Sequence, residues 1–519
     1  TYKYNLKTKM RKLLLPFLAM LVLASCSNSG SGELVGVETT SWSEPNPYGM
    51  VFIKQGSFTM GLNDQDASWA ASTQSKVVSI DAFWMDETEI TNREYKQFVY
   101  WVRDSIAREK IITAEEEDPG WETSSFVDKR KKDLAYESDS EESAKGAILY
   151  KTSNRPGYAS EDENTARRPK INWSEEIPWS KPTTEAQAKA IDSMFYAPEE
   201  TISESGLELN GQILNYKYLW IDYNQAALKR NKYNPNKGRY ENDLSLLGKG
   251  KDSADVMVKK DTSYVDENGY IVNKTMFVEL KSRRDFISSR IINVYPDTLC
   301  WIRDFTYAYN EPYMKMYFHH DGYGDYPVVG VNWEQASAFC HWRTQYYNSA
   351  QVSMGNPIVQ DYRLPTESEW EYAARGGREL SMYPWGGTYV RTAKGCFLGN
   401  FKPMHGNYTV DGYMIAAKVG SFPPNDYGLY DMSGNVAEWT SSAYHESNYS
   451  FVNDLNPSYN YNSKSNDPQI MTRKVIRGGS WKDIGFYLQC GARTYEYQTE
   501  ARSYIGFRCV RSVIGANYQ

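Results

Sequence analysis

Short apolar runs separated by turn residues mark the first part of the chain that has a folded pattern. They predict strands at 51–53, 57–60 and 77–83. Immediately afterwards, Thr91 and Glu94 have the spacing of a capping box, which opens a helix. Apolar residues then recur at helical intervals, at Tyr95, Phe98, Val99, Val102 and Ile106. The pattern therefore predicts strands followed by a helix that begins at Thr91.

The stretch from about 108 to 295 has a different texture, because Lys, Glu, Asp, Ser and Asn dominate it and tyrosines are scattered through it. Its periodicity indicates a helix over 184–195 and a strand over 276–280. We interpret it as a long, partly ordered insertion. Charge runs such as 129–132 fit either a solvated surface or a contact with a protein partner, and both interpretations stay open.

From about 296 onward the chain is dense in Gly, Trp, Asn and Pro. Asn332 can cap one helix, and Thr366 with Glu369 forms a second capping box before a helix that ends at 376–377. Regular periodicity then fades. Short strands are predicted at 474–476 and 506–510.

The composition excludes several functional classes. The chain has 519 residues and a net charge of -7, which argues against nucleic acid as a partner. It has only 5 histidines and 6 cysteines, which leaves little room for a histidine-rich metal centre. Beyond the first residues we find no apolar run of about 18 residues, so we expect no membrane-spanning helix in the mature chain.

The first residues have the pattern of a bacterial lipoprotein signal. Met10-Arg11-Lys12 supplies positive charge, 13–24 is apolar, and Leu23-Ala24-Ser25-Cys26 places small residues before a cysteine. We expect a signal peptide over 1–25, lipidation of Cys26, and a tether over 26–49. The alternative is an ordinary signal peptide with an incidental cysteine. The tether has no acidic cluster after Cys26, which favours the periplasmic side, an oxidising compartment.

A series of unusual words follows in a fixed order along the rest of the chain. They are GSFTMG (56–61), DETEITN (86–92), YPV (326–328), VNW (331–333), RLPTESEWEYAARGG (363–377), YPWG (383–386), NDYGLYDM (425–432), GNVAEW (434–439), RGGSW (477–481) and GFR (506–508). The series resembles the formylglycine-generating enzyme family, also called the sulfatase-modifying-factor family, over roughly 50–106 and 320–511. The resemblance implies an α+β fold with much irregular structure, a variant of the C-type lectin fold, over 50–107 and 296–519, with 108–295 as the charged insertion.

The resemblance also defines what catalysis would need. Enzymes of this family hold copper with two cysteines just after the RGGSW word, and soft thiolates are suited to Cu(I). Here 482–489 contains no cysteine, and Cys490 aligns better with a structural cysteine of the family. The five histidines lack the spacing of the iron-dependent branch, so we expect neither copper nor iron. We predict a non-catalytic copy of the fold; the alternative is a divergent enzyme that uses the old family pocket.

Structural calcium is a further implication of the resemblance. The family positions retain oxygen ligands of the kind that calcium binds. They form two sets, with side chains from Asn400 and Asp411 and carbonyls from Phe401 and Tyr413, then side chains from Asp431 and Glu438 and carbonyls from Gly434 and Val436. The alternative is that these residues only form turns and bind no ion.

A disulfide between Cys340 and Cys509 is likewise implied by the resemblance, with two free buried thiols as the alternative. The family partner of Cys490 is replaced by Ala374, so Cys490 is expected to be unpaired. The pairing of Cys300 and Cys396 stays open.

The lipoprotein signal, the missing cysteine pair and the long insertion together resemble a lipoprotein branch of this family found in type IX secretion and gliding motility. That resemblance implies a structural subunit anchored in the outer membrane by its lipid, on the periplasmic side. It further implies a GldN/PorN-like ring protein, other copies of the chain and other type IX secretion components as partners. A calcium-dependent ligand-binding module of lectin type is the alternative function.

Overall fold

The described part of the chain begins at residue 46, near the end of the predicted tether. The computed structural model describes residues 46–61, 75–116, 171–200, 208–240 and 258–513, apart from 198, 235, 237–238, 267–268, 462 and 464–466. The signal peptide, Cys26 and the charge run at 129–132 lie outside these residues. No helix within the described ranges combines the length and the apolar character that crossing a membrane requires.

The helices begin where the capping residues predict. Thr91 and Glu94 bond each other's backbone N–H groups, and Thr366 does the same with Glu369, which confirms both capping boxes. The second of these helices ends at Gly376, whose φ of 60° is left-handed. In the described ranges the α-helices are α1 (Asn92–Glu116), α2 (Glu185–Asp192), α3 (Tyr223–Ala226), α4 (Cys300–Arg303), α5 (Glu311–Met316), α6 (Trp333–Ser353), α7 (Glu367–Arg375) and α8 (Asn448–Phe451).

Short strands are distributed along the described chain. They are β1 (Met50–Ile53), β2 (Gly56–Met60), β3 (Lys76–Ile80), β4 (Phe83–Asp86), β5 (Asn215–Ile221), β6 (Tyr233–Asn234), β7 (Arg239–Tyr240), β8 (Val258–Val265), β9 (Ile271–Val278), β10 (Ile287–Asn293), β11 (Tyr362–Arg363), β12 (Ala437–Ala443), β13 (Arg473–Arg477), β14 (Thr494–Tyr497), β15 (Ile505–Gly506) and β16 (Val510–Ser512).

Two predicted strands are each divided in the structure. The run at 77–83 becomes β3 and β4, which lie in different sheets, because the backbone N–H of Asp81 donates to Asn456 Oδ1 (2.9 Å) instead of a strand neighbour. The run at 506–510 becomes β15 and β16. Between them, the Cys509 N–H donates to a carboxylate oxygen of Asp86 (2.9 Å), so the chain changes sheets there.

Two four-stranded sheets organise the motif-bearing residues. One has the order β1-β4-β16-β11, so the late strand β16 lies between two earlier strands. The other has the order β14-β13-β12-β15, with β12 and β15 parallel. The smaller sheets are the antiparallel pairs β2–β3, β5–β10, β6–β7 and β8–β9. The result is a mixed α and β architecture with long irregular connections.

The largest hydrophobic cluster joins residues far apart in sequence. Tyr95 on α1 stacks on Phe339 of α6 with ring centroids 5.6 Å apart, and Phe507 packs against both rings. Side chains of β5 and β10 enter the same cluster, including buried Tyr216 and Ile292. Part of the 108–295 stretch therefore contributes to the same core as the motif words.

A second structural feature is a set of buried charges, which we call the buried ion network: Glu367, Glu371, Arg375, Arg477 and Arg493. Arg477 lies at its centre, 2.7 Å from Glu371 and 2.9 Å from Glu367. Arg375 and Arg493 supply the outer cations. Arg477 and Glu371 are both fully buried, and such charges are tolerated inside a protein only when they are paired and hydrogen-bonded. The network fixes α7 against β13.

Candidate functional site

The segment after the RGGSW word is where the family resemblance places catalytic thiols. In the structure it is a series of turns between β13 and β14, and it leads to Cys490. The Cys490 N–H donates to the Met382 carbonyl (2.8 Å), and the side chain is wholly buried. Burial raises the pKa of the Cys490 thiol to about 12. A thiol that stays protonated is a poor nucleophile and a poor metal ligand, so Cys490 is a core residue.

Aromatic side chains pack against the beginning of this segment. Trp481 stacks on Trp301 of α4 (centroids 6.1 Å apart, planes at 17°), and Phe305 lies 5.5 Å away. Lys482 places its ammonium 3.9 Å from the centre of the Tyr504 ring. The surroundings are thus apolar and cationic, and among the described residues of the segment 482–490 the one thiol is the buried Cys490.

The first predicted calcium set comes together around Asp411. Its two carboxylate oxygens accept hydrogen bonds from the backbone N–H groups of Phe401 (2.9 Å) and Tyr413 (3.2 Å). Asn400 uses its Nδ2 to donate to the Ile415 carbonyl (2.9 Å). Burial raises the pKa of Asp411, because a carboxylate loses hydration there. A cation at this position would restore the charged form.

The second predicted set is organised by an arginine. Two nitrogens of Arg508 donate hydrogen bonds to the Glu438 carboxylate, at 2.6 and 2.8 Å. The Trp370 indole N–H donates to the same carboxylate (2.7 Å). Asp431 accepts from the Gly420 N–H (2.7 Å). All three charged side chains are buried. The guanidinium therefore supplies to Glu438 the positive charge that a calcium ion would provide.

Asn435 connects the two sets. Its N–H donates to the Asn400 carbonyl (2.8 Å), and its side-chain Oδ1 accepts from the Ala417 N–H (2.8 Å). The neighbouring Gly434 has a φ of +88°, and a Cβ there would lie 2.4 Å from the Asn400 carbonyl oxygen. The close approach of the two loops therefore requires glycine at 434.

A third acid, Glu89, completes the cluster. Its Oε1 accepts from the Asn435 side chain (3.1 Å), and its buried carboxyl group also faces the carboxyl group of Asp431. Burial, and then the charge of Asp431, hold the pKa of Glu89 well above its usual range. Burial also raises the pKa of Asp431 to about 6. Three carboxyl groups thus share one guanidinium, and the raised pKa values of Glu89 and Asp431 favour retention of a proton on this pair of acids.

The two sets do not fit calcium equally. Among the residues that the structure describes, no three His, Cys, Asp or Glu side chains converge to hold a metal ion. Calcium in either set would therefore depend on amide and backbone carbonyl oxygens. The first set fits this requirement, because Asp411 has no cationic partner among the described residues and Asn400 has its Oδ1 available there. In the second set, Arg508 already bonds both carboxylate oxygens of Glu438, so that side chain is less available to an ion. The Gly434 and Val436 carbonyls of this set are close to Glu438 in sequence.

The predicted disulfide cysteines do lie side by side. Cys340 on α6 and Cys509 have their sulfur atoms 3.5 Å apart, and both are buried. The structure holds them as free thiols, since a disulfide bond is about 2.05 Å long. The bridge itself remains a prediction. Cys300 and Cys490 are buried and Cys396 is exposed, each as a free thiol.

The histidines are dispersed and serve local structure. His320 accepts the Gly322 N–H (3.0 Å), and His319 bonds the Tyr295 hydroxyl (2.6 Å). His341 stacks on Tyr218 with centroids 4.9 Å apart, and burial lowers its pKa to about 4.

Sequence reasoning missed two members of the cluster. Glu89 and Arg508 lie inside quoted words, DETEITN and GFR, yet no role was assigned to either. The signal available in the sequence is that each of these charged residues lies inside a motif word. Their hydrogen-bond partners, Asn435 for Glu89 and Glu438 for Arg508, lie too far away along the chain for periodicity to show.

Comparisons with known proteins agree with the motif words. A family model described as "Sulfatase-modifying factor enzyme 1-like domain" matches residues 38–176 and 252–513. "Inactive C-alpha-formylglycine-generating enzyme 2" of Mus musculus is 33% identical over 192 residues, which are 36% of this chain and 49% of that protein. "Formylglycine-generating enzyme" of Bos taurus is 33% identical over 193 residues, which are 36% of this chain and 44% of that protein.

The match thus spans about half the length of these curated relatives. Among solved structures, "Structure of PvdO from Pseudomonas aeruginosa" matches with 25% identity and a TM-score of 0.28, over 37% of this chain and 63% of that one.

Proposed function

The chain belongs to the sulfatase-modifying factor enzyme 1-like family, and from that premise we propose that it is a non-catalytic member whose role is structural. The observation that carries the proposal is the state of the segment after the RGGSW word. The family's copper chemistry needs two thiolates, and this segment offers Cys490, which is buried and protonated.

Loss of activity has a parallel among relatives, because one similar protein is named as an inactive formylglycine-generating enzyme. In the present chain, the buried ion network and the three acids around Arg508 (Glu89, Asp431 and Glu438) hold the framework of the domain together, and neither set contains a cysteine. A fold kept rigid in this way is suited to presenting surfaces. We propose further that the framework is the C-type-lectin-like variant that the family resemblance implies.

The finer proposal is a lipoprotein of the outer membrane, facing the periplasm, that forms part of the periplasmic ring of the type IX secretion and gliding-motility machinery. The chain resembles GldK, called PorK in non-gliding relatives, with the related GldJ as the nearest alternative. The lipoprotein signal ending at Cys26, the missing thiol pair and the inserted stretch support it. Its partners would be a GldN/PorN-like ring protein, other copies of the chain and other components of that machinery.

The decisive experiment is to isolate the complex under native conditions. A tagged chain would be solubilised from envelopes in mild detergent, purified, and examined by mass spectrometry and electron microscopy. A ring-sized particle that contains a second secretion protein is the expected result. A monomer that is reproducibly free of partners would contradict the scaffold role. An untagged strain, processed identically, controls for non-specific recovery.

Calcium in this proposal has a structural role at the Asp411 set. The geometry of that loop is also compatible with a second candidate function, a calcium-dependent ligand-binding module of lectin type. That alternative predicts calcium-dependent binding of glycan or peptidoglycan by the purified chain, and loss of binding in an Asp411→Asn variant. A divergent enzyme would instead contain a transition metal, which elemental analysis of the purified chain detects.

A further inference from the structure

The strands β8 and β9 form a hairpin that is paired over its whole length. The eight residues of each strand are in antiparallel register, from Val258 opposite Val278 to Val265 opposite Ile271. The hairpin is a separate two-stranded sheet. Each of its strands therefore has one further edge, and the two edges have different surroundings.

The outer edge of β8 is covered by neighbouring elements. The Asp261 N–H donates to Ser288 Oγ on β10 (3.2 Å). The Gln225 side-chain amide bonds both the N–H (2.9 Å) and the carbonyl (2.7 Å) of Lys259, much as a neighbouring strand would. This side of the hairpin is attached to the rest of the protein.

Among the residues that the structure describes, none covers the outer edge of β9 in this way. Within the described ranges, the strand opposite β9 is β8, and no other backbone group bonds it. In an antiparallel pair, alternate N–H and C=O groups of an edge strand face outward, so about half of those groups are available to another strand. Eight residues are long for an open edge.

The sequence of β9 offers this edge one protective feature, the charge of Lys274. The strand contains no proline and reads Ile-Val-Asn-Lys-Thr-Met-Phe-Val. Phe277 is 57% exposed, and Tyr270 just before the strand is 71% exposed. An open edge with exposed aromatic rings beside it is a template for strand addition, in which backbone bonds supply affinity and side chains supply specificity.

Lys274 determines which strand fits. It is exposed at the middle of β9, opposite Thr262 of β8, and has no ion-pair partner among the described residues. When two copies of β9 pair about a two-fold axis, residues that lie opposite each other must point to the same face of the sheet. The fullest registers then place Lys274 either directly opposite its copy, where like charges are destabilising, or diagonal to it at roughly 7–8 Å, where the two long side chains still come within reach of each other.

We propose that β9 is a docking edge for an extended strand of a different protein, apolar in alternation and carrying a carboxylate opposite Lys274. This assignment rests on the proposed scaffold role and names the surface that would contact a partner. The carboxylate gains a cross-strand ion pair, while a second copy of the chain meets repulsion at the same place.

The test uses the purified chain and synthetic ten-residue peptides of alternating Val and Thr, with either Glu or Lys at the centre. Fluorescence anisotropy should show the Glu peptide binding at least about 5-fold more tightly than the Lys peptide. A Lys274→Glu variant should reverse that preference. Lys217→Glu, an exposed lysine on β5, is the matched control and should leave it unchanged. Equal binding of both peptides, or no binding, would overturn the charge-matched edge.

Hydrogen exchange in the native complex separates this inference from the scaffold role. Amides of 271–278 should gain protection when the complex forms. If the complex assembles but these amides exchange as in the free chain, the edge assignment fails and the scaffold role stands. If no complex exists but the peptide preference reverses in Lys274→Glu, the edge stands and the scaffold role fails. Protection that rises with concentration of the pure chain would show a second copy as the occupant and overturn the proposal.

Discussion

The buried ion network and the β8–β9 hairpin differ in where their charged and apolar groups lie and in whether those groups have partners. In the network, the charged groups are inside the protein and each of its five side chains has an ion-pair partner. Arg477 and Glu371, for example, are fully buried and 2.7 Å apart. In the hairpin, apolar groups are outside and a backbone edge is left open, with Phe277 57% exposed. In the network, the polar groups bond one another and so stabilise the fold. In the hairpin, the edge of β9 and the exposed rings remain accessible to a partner. The difference teaches where stability and where recognition should be sought.

The largest effect is expected from removing the centre of the network. Arg477→Met leaves Glu367 and Glu371 buried without their shared cation, which should cost about 3–5 kcal/mol of unfolding free energy. Arg378→Met removes a solvent-exposed pair with Asp426 and should cost less than ~1 kcal/mol. Chemical denaturation of both variants measures the contrast. Equal costs would show that burial does not distinguish the two pairs.

A second effect concerns Lys474, a buried cation on β13, the strand that also carries Arg477 of the network. It donates to the Tyr461 carbonyl (2.8 Å) and lies 3.9 Å from the Trp333 ring centre. Burial, and then the charge of Arg290, lower its pKa to about 7, while Glu334 opposes that shift.

Because the pKa of Lys474 is lower in the folded chain than in the unfolded chain, the unfolded chain binds more protons above pH 7. Stability from this group should therefore rise with pH, by about 1.4 kcal/mol per unit between pH 7 and 9. Denaturation of the wild type and of Lys474→Met across that range isolates the contribution. A constant difference between the two proteins would contradict the assignment.

A third, smaller effect concerns calcium at the Asp411 set. Adding millimolar calcium should raise the melting temperature by about 3 °C, because an ion that binds only the folded chain stabilises it. Asp411→Asn should abolish the rise, while Asp426→Asn, an exposed surface acid, should keep it. Calorimetry in calcium and in chelator provides the measurement. A rise that survives in Asp411→Asn would assign the ion to another place.

The smallest effect on stability is expected in the hairpin. Phe277→Ser should change the unfolding free energy by less than ~0.5 kcal/mol, because the ring is largely exposed. Phe286→Ser, a buried ring beneath the same hairpin, should cost about 3 kcal/mol. Thermal melts of the two variants compare them directly. A large loss in Phe277→Ser would mean that the ring belongs to the fold and not to a contact surface.

The sequence predicts local features of the fold well, for physical reasons. Capping residues such as Thr91 and Thr366 act within one turn, so their spacing alone marks where a helix begins. Gly376 ends α7 because a left-handed residue is needed there. The prediction of a single strand over 77–83 was wrong for the opposite reason. Where that run divides, the chain bonds Asn456, a distant residue that apolar alternation cannot reveal.

The candidate site was accessible only in part. The motif words contain Asp431 and Glu438, and the family resemblance adds Asn400 and Asp411 as matching calcium positions. The structure places Asn400 and Asp431 in adjoining loops through Asn435. Neither the burial of Glu89 nor the ion pair between Arg508 and Glu438 follows from spacing. Glu89 contacts Asn435 across 346 residues, and Arg508 contacts Glu438 across 70, so both arrangements exist only once the chain has folded.

The position of β16 has a consequence for how such a chain is made. It lies between β4 and β11, and the neighbouring Cys509 N–H bonds Asp86 across 423 residues. During synthesis in chain order, β4 is therefore made long before its central neighbour β16. Pairing between such distant segments forms slowly, because a long stretch of chain must be closed into a loop first. We therefore expect this sheet to be completed late in folding, after the locally determined helices α1 and α6.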